Sequence, residues 1–490
     1  MSASVPDIVA ALGAPPPTHP ARPDTSPAQN TTGTPWIIIC VEADHPHCAR
    51  YGELRRREFG QRQGLFVDGD RDAADADPEN RVLVALHRDG SVLGGVRVHP
   101  DHAGAEAIGW WRGSRLVVEA ATGAERGRIG AALVTAACAQ AFDAGALRFD
   151  AHVQTPVVSF FTGLGWEASR ALTVGGRAHR LMHYEFDRFA ALVTETKAPI
   201  AALVGDLLPD DRWRGDDGVP VPGSDIVACT DAVVPAMVAR DPEWAGWCGM
   251  LVTAHDLSAM GARFVGALDA LAAPDAAHAQ RVIAGVRAGA DALGLPVIGG
   301  HTSLGAPAAL AVTGLGVTAD PVAASAGRVG DAVRLTADVH GDWRPGYRGR
   351  QWDSTSWRTR EQLTPMLSAV ARARPHAAKD VSMAGVVGTL GMLAEAAGCG
   401  AELEVSAVPR PAAAAIADWL TCFPGFAMLS TDGPGRPPLD AGDAVSAECG
   451  SLVPGSGVRL RWPDGELSTV LTAEVSGLGV AAHHEQREPR

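Results

Sequence analysis

Ala254-His255-Asp256-Leu257-Ser258-Ala259-Met260-Gly261-Ala262 sets one acid into a short run of small and apolar residues. Gly215-Asp216-Asp217-Gly218 and Cys229-Thr230-Asp231 precede it. Gly299-Gly300-His301-Thr302-Ser303 and Lys379-Asp380-Val381-Ser382-Met383-Ala384-Gly385 follow. Magnesium takes oxygen ligands in octahedral geometry and bridges nucleotide phosphates, so acids from several separate segments suit such a site. Glycines beside the acids permit close backbone approach. Each motif alone carries little information, since Asp-Asp before Gly is most often a turn. Their succession points to a magnesium–nucleotide site.

The motifs, in this order, resemble the aminoimidazole ribonucleotide (AIR) synthase superfamily, which also holds selenophosphate synthetase, thiamine-monophosphate kinase and a hydrogenase-maturation dehydratase. Asp241-Pro242-Glu243-Trp244-Ala245-Gly246 leading into Asp256, and Gly299-Gly300-His301-Thr302, look most like selenophosphate synthetase. The resemblance runs from about Ala198 to Val475. It implies an N-terminal Mg-ATP half over 198–325 and a C-terminal half over 326–490, with ATP in a cleft usually completed by a homodimer. It further implies that Asp216, Asp217, Asp231 and Asp256 hold magnesium and phosphate. Gly215, Thr230, Gly299, Gly300 and Thr302 would contact the nucleotide, and His301, Lys379 and Asp380 would serve the chemistry. Three departures narrow the activity. His301 stands where relatives carry a carboxylate, Met383 replaces the aspartate of the thiamine-kinase pattern, and no reactive Cys precedes a Lys in a Gly-rich loop upstream of Gly215. Selenide activation is therefore not expected. What remains implied is ATP-driven activation of an amide, carbonyl or carboxylate oxygen of a small metabolite.

Upstream, residues 1–35 are rich in Pro, Ala, Thr and Ser and predict a disordered tail. Trp36 to Val41 reads as a buried strand, and 81–87 with 91–99 as a hairpin across Arg88-Asp89-Gly90. A third strand is predicted over 113–119, a helix over 129–144 and a half-buried strand over 148–154. Between strand and helix, Thr122 to Ala131 reads as a glycine-containing turn whose backbone N–H groups and helix dipole favour an anion. With Phe160-Phe161-Thr162-Gly163-Leu164-Gly165-Trp166, this segment resembles the GNAT acyl-CoA N-acyltransferases over 36–190. The resemblance implies acetyl-CoA or another acyl-CoA held by Val117, Val118, Arg126, Gly127, Arg128, Gly130 and Ala131. Glu119 would be the base, with Asp150 and His152 as other candidates. Two positions depart from the signature: Glu125 stands for Gln/Arg, and Arg128 for the first glycine. The alternative is a GNAT fold kept as a CoA-sensing or scaffold module. The fusion also resembles a family whose genes neighbour a nitrilase, which implies nitrile or amide chemistry.

The fold class is thus α/β and α+β: a GNAT fold followed by a two-part AIR-synthase-like fold. A length of 490 residues suggests about three domain-sized units. The net charge of -14 argues against nucleic-acid partners, because no excess cation is available to displace counterions. Eight scattered cysteines form no zinc pattern and suit a reducing cytoplasm. No signal peptide or membrane-spanning run is evident. Partners are expected to be small-molecule substrates and a second copy. Of 42 basic residues only Lys197 and Lys379 are lysine, a bias of the kind codon composition produces; against that background both lysines are candidates for places where a compact point charge is needed.

Overall fold

The computed structural model describes residues 35–42, 45–66, 69–101, 108–347 and 351–481; the tail expected over 1–35 lies outside them except for Pro35. The described residues fall into two compact units: one holds those up to Arg188 with 415–417, the other Phe189–Ala414 and those from 418 onward.

The first unit is a seven-stranded sheet in the order β1-β2-β3-β4-β5-β7-β6. Its strands are β1 (Trp36–Val41), β2 (Arg81–His87), β3 (Val92–Pro100), β4 (Trp110–Val118), β5 (Arg148–Gln154), β6 (Glu167–Val174) and β7 (Arg177–Tyr184). Helix α1 (Pro46–Arg55) follows β1, and α2 (Gly123–Asp143) connects β4 to β5. All pairings are antiparallel except β4 with β5, which is parallel and confined to Trp110–Gly113 against Arg148–Ala151. Beyond that point β4 pairs only with β3, and β5 only with β7. The two central strands therefore split at Ser114 and His152.

Two expectations are corrected here. β1 is an edge strand paired only with β2, and Ile37 is 53% exposed. Its apolar run reads as buried because Ile38 and Ile39 pack inward on two different clusters. Helix α2 starts at Gly123, six residues before the expected Ile129. The Thr122 side chain accepts from the Glu125 N–H at 3.2 Å, and Ala124, Glu125 and Arg126 favour helix enough to carry the glycines through. Ile129, Leu133, Val134, Ala137, Cys138 and Ala141 then face Val96, Val98, Phe149 and Val153 across the sheet.

The second unit opens with two short helices, α3 (Arg188–Thr196) and α4 (Ile200–Val204), where the sequence pattern weakens into an apparent linker. Its N-terminal half is a five-stranded sheet, β11-β10-β12-β9-β8. These are β8 (Val219–Pro220), β9 (Ile226–Val233), β10 (Arg263–Ala273), β11 (Val297–Leu304) and β12 (Ala309–Val317). Helices α5 (Pro242–Ala259) and α6 (Ala276–Leu293) cover one face. Asp275 caps α6, accepting from His278 N–H at 2.8 Å, and Gly294 ends it at φ 71°. Strand β11 carries Gly299 and Gly300 in its middle and runs on through Leu304. The C-terminal half is a seven-stranded sheet, β14-β16-β13-β17-β15-β18-β19. Its strands are β13 (Ala332–Ala337), β14 (Ala377–Asp380), β15 (Gly400–Glu404), β16 (Ala427–Asp432), β17 (Val445–Val453), β18 (Val458–Arg461) and β19 (Leu467–Leu471), with the buried helix α7 (Gly385–Ala396) against it.

Helix α5 is buried on nearly every side, as a composition dominated by apolar and small residues requires. It lies so close to α6 that a Cβ on Gly285 would sit 1.9 Å from the Glu243 carbonyl oxygen. Gly285→Val should force the helices apart and cost about 3 kcal/mol, read as a lower midpoint in chemical denaturation at unchanged far-UV circular dichroism.

Candidate nucleotide and metal site

Four elements of the second unit bring acids together. Asp256 stands in the last turn of α5, where burial of the whole helix carries the carboxyl inward. Asp231 lies on β9 among Val227, Cys229 and Val233, the residues that alternate toward α5. Asp217 comes from the loop before β8, and Asp380 ends β14. One carboxylate oxygen from each of Asp217, Asp256 and Asp380 lies within 4.8 Å of the others. That spacing fits oxygens around a single divalent cation, whose bonds to them are about 2.1 Å for magnesium. Asp217 ties the two halves of the unit together. Its Oδ2 accepts the backbone N–H of Asp380 at 2.9 Å, and its Oδ1 forms an ion pair with the Lys379 ammonium. Lys379 also donates to the Gly215 carbonyl at 3.2 Å. Gly215 has φ 76°, a turn that a side chain would strain, and this turn aims its carbonyl at the ammonium.

The electrostatics follow from that crowding. Burial raises the Asp256 pKa well above the usual range, and Asp380 and Asp231 raise it further. Burial and then Asp217 do the same to Asp380, against the opposing pull of Lys379 and Lys197. Burial alone would depress Lys379, but Asp217 and Asp216 outweigh it and hold the ammonium charged. Both lysines of the chain thus act on this cluster. Asp216 turns away from it: its carboxylate accepts from the N–H of Ala324 at 3.0 Å and of Asp217 at 3.1 Å, and burial pushes its pKa up to about 7.

Other candidate residues of the second unit lie elsewhere. Thr230 neighbours Asp231 on β9 and so faces the opposite side of the sheet, hydrogen-bonded to Thr313 at 2.9 Å. His301 lies across from Ala270 on β10, in the row holding Ala311 and Ala232, and shares that opposite side. Gly299, Gly300 and Thr302 are exposed on the edge strand β11. A Cβ on Gly300 would meet Asp269 Oδ1 at 2.3 Å, so the glycine there admits the neighbouring carboxylate. The structure therefore unites Asp217, Asp231, Asp256, Lys379 and Asp380 but does not bring His301 to them within one chain. Two residues beyond Asp380, the buried Ser382 Oγ has no hydrogen-bond partner among the described residues. Only its place inside the quoted motif hinted at it.

Two family descriptions match this unit: AIR synthase related protein, N-terminal domain, over residues 215–318, and the corresponding C-terminal domain over 346–452. The sll0787 protein of Synechocystis is 33% identical over 222 residues, covering 44% of this chain and 69% of its own length. The MJ0640 protein of Methanocaldococcus jannaschii is 27% identical over 195 residues, covering 38% of this chain and 60% of its own. This chain belongs to the AIR synthase-related family. Among solved structures, thiamine monophosphate kinase of Aquifex aeolicus is similar at TM-score 0.40 and 19% identity, covering 51% of this chain and 92% of that one. T. maritima PurL is similar at TM-score 0.49 and 16% identity, covering 63% of this chain and 54% of that one.

Both AIR synthase-related matches fall in the second unit. In the first, Glu119 is exposed just beyond β4 and pairs with Arg57 at 2.9 Å. Val117 and Val118 end β4, and Arg126 and Arg128 point to solvent from α2. The expected turn is corrected: Gly127, Arg128, Gly130 and Ala131 lie inside the helix, and the Arg126 N–H already bonds Thr122 O at 3.0 Å. The N–H groups from Arg126 onward are spent within the helix, which leaves those of Gly123 and Ala124 as its open end. His152 lies on the exposed side of β5, and partial desolvation by the surrounding protein, with Arg112 nearby, lowers its pKa to about 4. Asp150 is fully buried, bonded by Trp110, Arg148 and His183, and is spent on structure. Among the described residues, no helix is long and apolar enough to cross a membrane.

The raised pKa values set the sign of a pH effect. A carboxyl whose pKa is higher in the folded protein stabilises the fold at low pH, and that contribution is lost as pH rises through the raised value. Without divalent metal, the protein should lose stability from about pH 4, the ordinary carboxylate range, up through about 7, where Asp216 titrates. Magnesium should raise the melting temperature more at the alkaline end of that window. Asp256→Asn should raise the metal-free melting temperature by roughly 2–4 °C per kcal/mol of repulsion removed and abolish the magnesium-induced rise, both read by differential scanning calorimetry.

Proposed function

We propose that the second unit binds Mg-ATP at the acid cluster and activates an amide, carbonyl or carboxylate oxygen of a small metabolite by phosphoryl transfer. The observation that carries this reading is a buried set of carboxylates with one ammonium between them, a charge deficit that a magnesium ion bound to phosphates would fill. Membership of the AIR synthase-related family supports it. Magnesium supplies neutralisation of phosphate charge when bound. The chain's own residues do the rest. Asp217, Asp256 and Asp380, with Asp231 beside them, would hold the ion. Lys379 pins the Gly215–Gly218 loop to β14, a positioning role rather than direct contact with the transferred group.

The reading also requires a second copy. The face of the N-terminal sheet opposite α5 and α6 exposes Leu268 (37%) and Ile298 (55%) along with Thr230 and His301. Exposed apolar area of this kind marks an association surface. A homodimer through it would bring the Gly299–Thr302 strand of one copy toward the cleft of the other, which gives His301 a route to the nucleotide that a single chain lacks.

For the first unit, the split between β4 and β5 supports an acyl-CoA-dependent N-acyltransferase, because it opens a slot in which a thioester can lie between two strands. One observation favours the alternative of a CoA-sensing or scaffold module: the helix-bonded N–H groups from Arg126 onward leave a shortened anion site.

Asp256→Ala and Asp231→Ala should each lower magnesium-dependent ATP turnover by about 100-fold or more, the scale of losing a preorganised electrostatic group, assayed as phosphate release across a panel of amides and carboxylates. Unchanged turnover in both would overturn the site. Leu268→Arg should yield a monomer by light scattering and lose ATP turnover with it; a dimer that persists would remove the proposed interface.

A further inference from the structure

The first unit contains a hydrogen-bonded chain that the sequence motifs do not touch. His99, near the end of β3, places Nδ1 2.8 Å from the Pro100 carbonyl oxygen. A carbonyl can only accept, so Nδ1 carries the proton and Nε2 carries the lone pair. Nε2 lies 3.2 Å from Ser114 Oγ, which fixes the serine as donor to the histidine. From the other side Arg97 Nε donates to the same Oγ at 3.0 Å. Arg97 is itself held by Asp72, at 2.7 and 2.8 Å. The serine hydroxyl is therefore oriented from both sides, with a neutral imidazole behind it. Burial keeps that imidazole neutral by lowering its pKa to about 4.

The position of Ser114 is what gives the chain meaning. It is the first residue of β4 beyond the pairing with β5, so it stands at the mouth of the split. The next residue, Arg115, has φ 58°, the left-handed region that costs a side chain about 1–3 kcal/mol. A bulge accompanies it: Ser114 opposes Arg97 and Val117 opposes Gly95, leaving Arg115 and Leu116 against Val96 alone. Bulges of this kind re-aim side chains beside active sites. The strain is held in place, since Tyr51 donates to the Arg115 carbonyl at 2.7 Å and the Arg115 guanidinium bonds Asp72 at 2.9 Å. His99 is only 7% exposed and Arg97 1%, whereas Ser114 is half-buried. The hydroxyl is thus the end of the chain that faces outward.

We infer that Ser114, backed by His99, is the group that takes the proton of an acceptor amine as the amine receives an acyl group in the split; this rests on the acyltransferase reading of the first unit. The amine nitrogen attacks the thioester carbonyl, an N–C bond forms and the C–S bond breaks. The proton leaving nitrogen passes to Ser114 Oγ as the serine proton passes to His99 Nε2. It is then returned to the departing CoA thiolate, giving amide and thiol. Ser114 is the catalytic residue, and His99 is a positioning residue that acts through it.

The full-length protein tests this with acetyl-CoA and hydroxylamine as a small acceptor, following thiol release, and with calorimetric titration of acetyl-CoA. Ser114→Ala should lower kcat by about 100-fold or more while acetyl-CoA affinity stays within about twofold, a change too small to count as lost binding energy. Ser114→Thr, which keeps the hydroxyl, should recover most of the rate. His99→Ala should fall similarly and regain activity with added imidazole, which a merely structural histidine would not do. Wild-type rates in Ser114→Ala, or no imidazole rescue in His99→Ala, would overturn the relay. So would an acetyl group found on Ser114 by intact-protein mass spectrometry, because the serine would then be a nucleophile. A wild-type protein that binds acetyl-CoA but releases no thiol also overturns it. Absence of acetyl-CoA binding to wild type is the separate result that removes the acyltransferase reading itself.

Discussion

The second unit is organised around repulsion between buried carboxylates. Asp217, Asp256 and Asp380 bring oxygens within 4.8 Å, and Asp231 adds its charge to Asp256 and Asp380. At such spacing each pair of full charges repels by about 4 kcal/mol in surroundings of intermediate polarity. One ammonium, on Lys379, bonds Asp217 directly. It cannot offset four acids, so the cluster either takes up protons or takes up a cation. The fold that pays this cost is specific: a loop from one half, a helix end and a strand from the same half, and a strand end from the other half must all arrive together. The Asp217 carboxylate, bonded at once to Lys379 and to the Asp380 N–H, is the joint through which they do.

Much else depends on that joint. Helix α5 can carry Asp256 inward only because nearly all of its surface is apolar and it approaches α6 at glycine contacts. Covering α5 from both halves uses one face of the N-terminal sheet and leaves the other bare. That bare face holds Thr230 and His301, separated from Asp231 by the thickness of a single strand's alternation. The packing that builds the acid cluster thus also creates the surface that a second copy would cover.

How much of this was legible depended on the distance over which each feature is decided. The acid motifs could be read because their chemistry is local: Asp next to Gly in a loop, or Asp in a small-residue run, keeps its meaning whatever the neighbours do. Single-residue signals such as the Asp275 cap and the Gly294 stop of α6 are legible for the same reason. The start of α2 was not, because two glycines read as a turn while the Thr122 cap and the residues between them favoured helix. The facing of His301 was illegible because it follows from strand register across β10, β12 and β9, and one residue of shift reverses it. Ser114 and His99 are 15 residues apart and meet only because β3 and β4 pair in one register with a bulge between Gly95 and Arg97. No periodicity announces such a contact.

The first unit shows that crowded acids need not demand a metal. Asp70, Asp72 and Asp75 are each held by arginine: Arg55 pairs with Asp70 at 2.5 Å and Asp75 at 2.6 Å, and Arg97 with Asp72 at 2.7 Å and Asp75 at 2.9 Å. The guanidinium forks outweigh burial, and the Asp75 carboxyl stays well below the usual range. In a chain where 40 of 42 basic residues are arginine, such neutralisation is the common solution. At Asp217, Asp256 and Asp380 it is not used: no arginine among the described residues forms an ion pair with them. The cation present is instead one of only two lysines, and the other also acts on Asp380. A planar guanidinium would fill the space between carboxylates with five fixed donors, whereas an ammonium is a compact charge that leaves oxygens open. The choice of lysine there is what one expects of acids reserved for an ion.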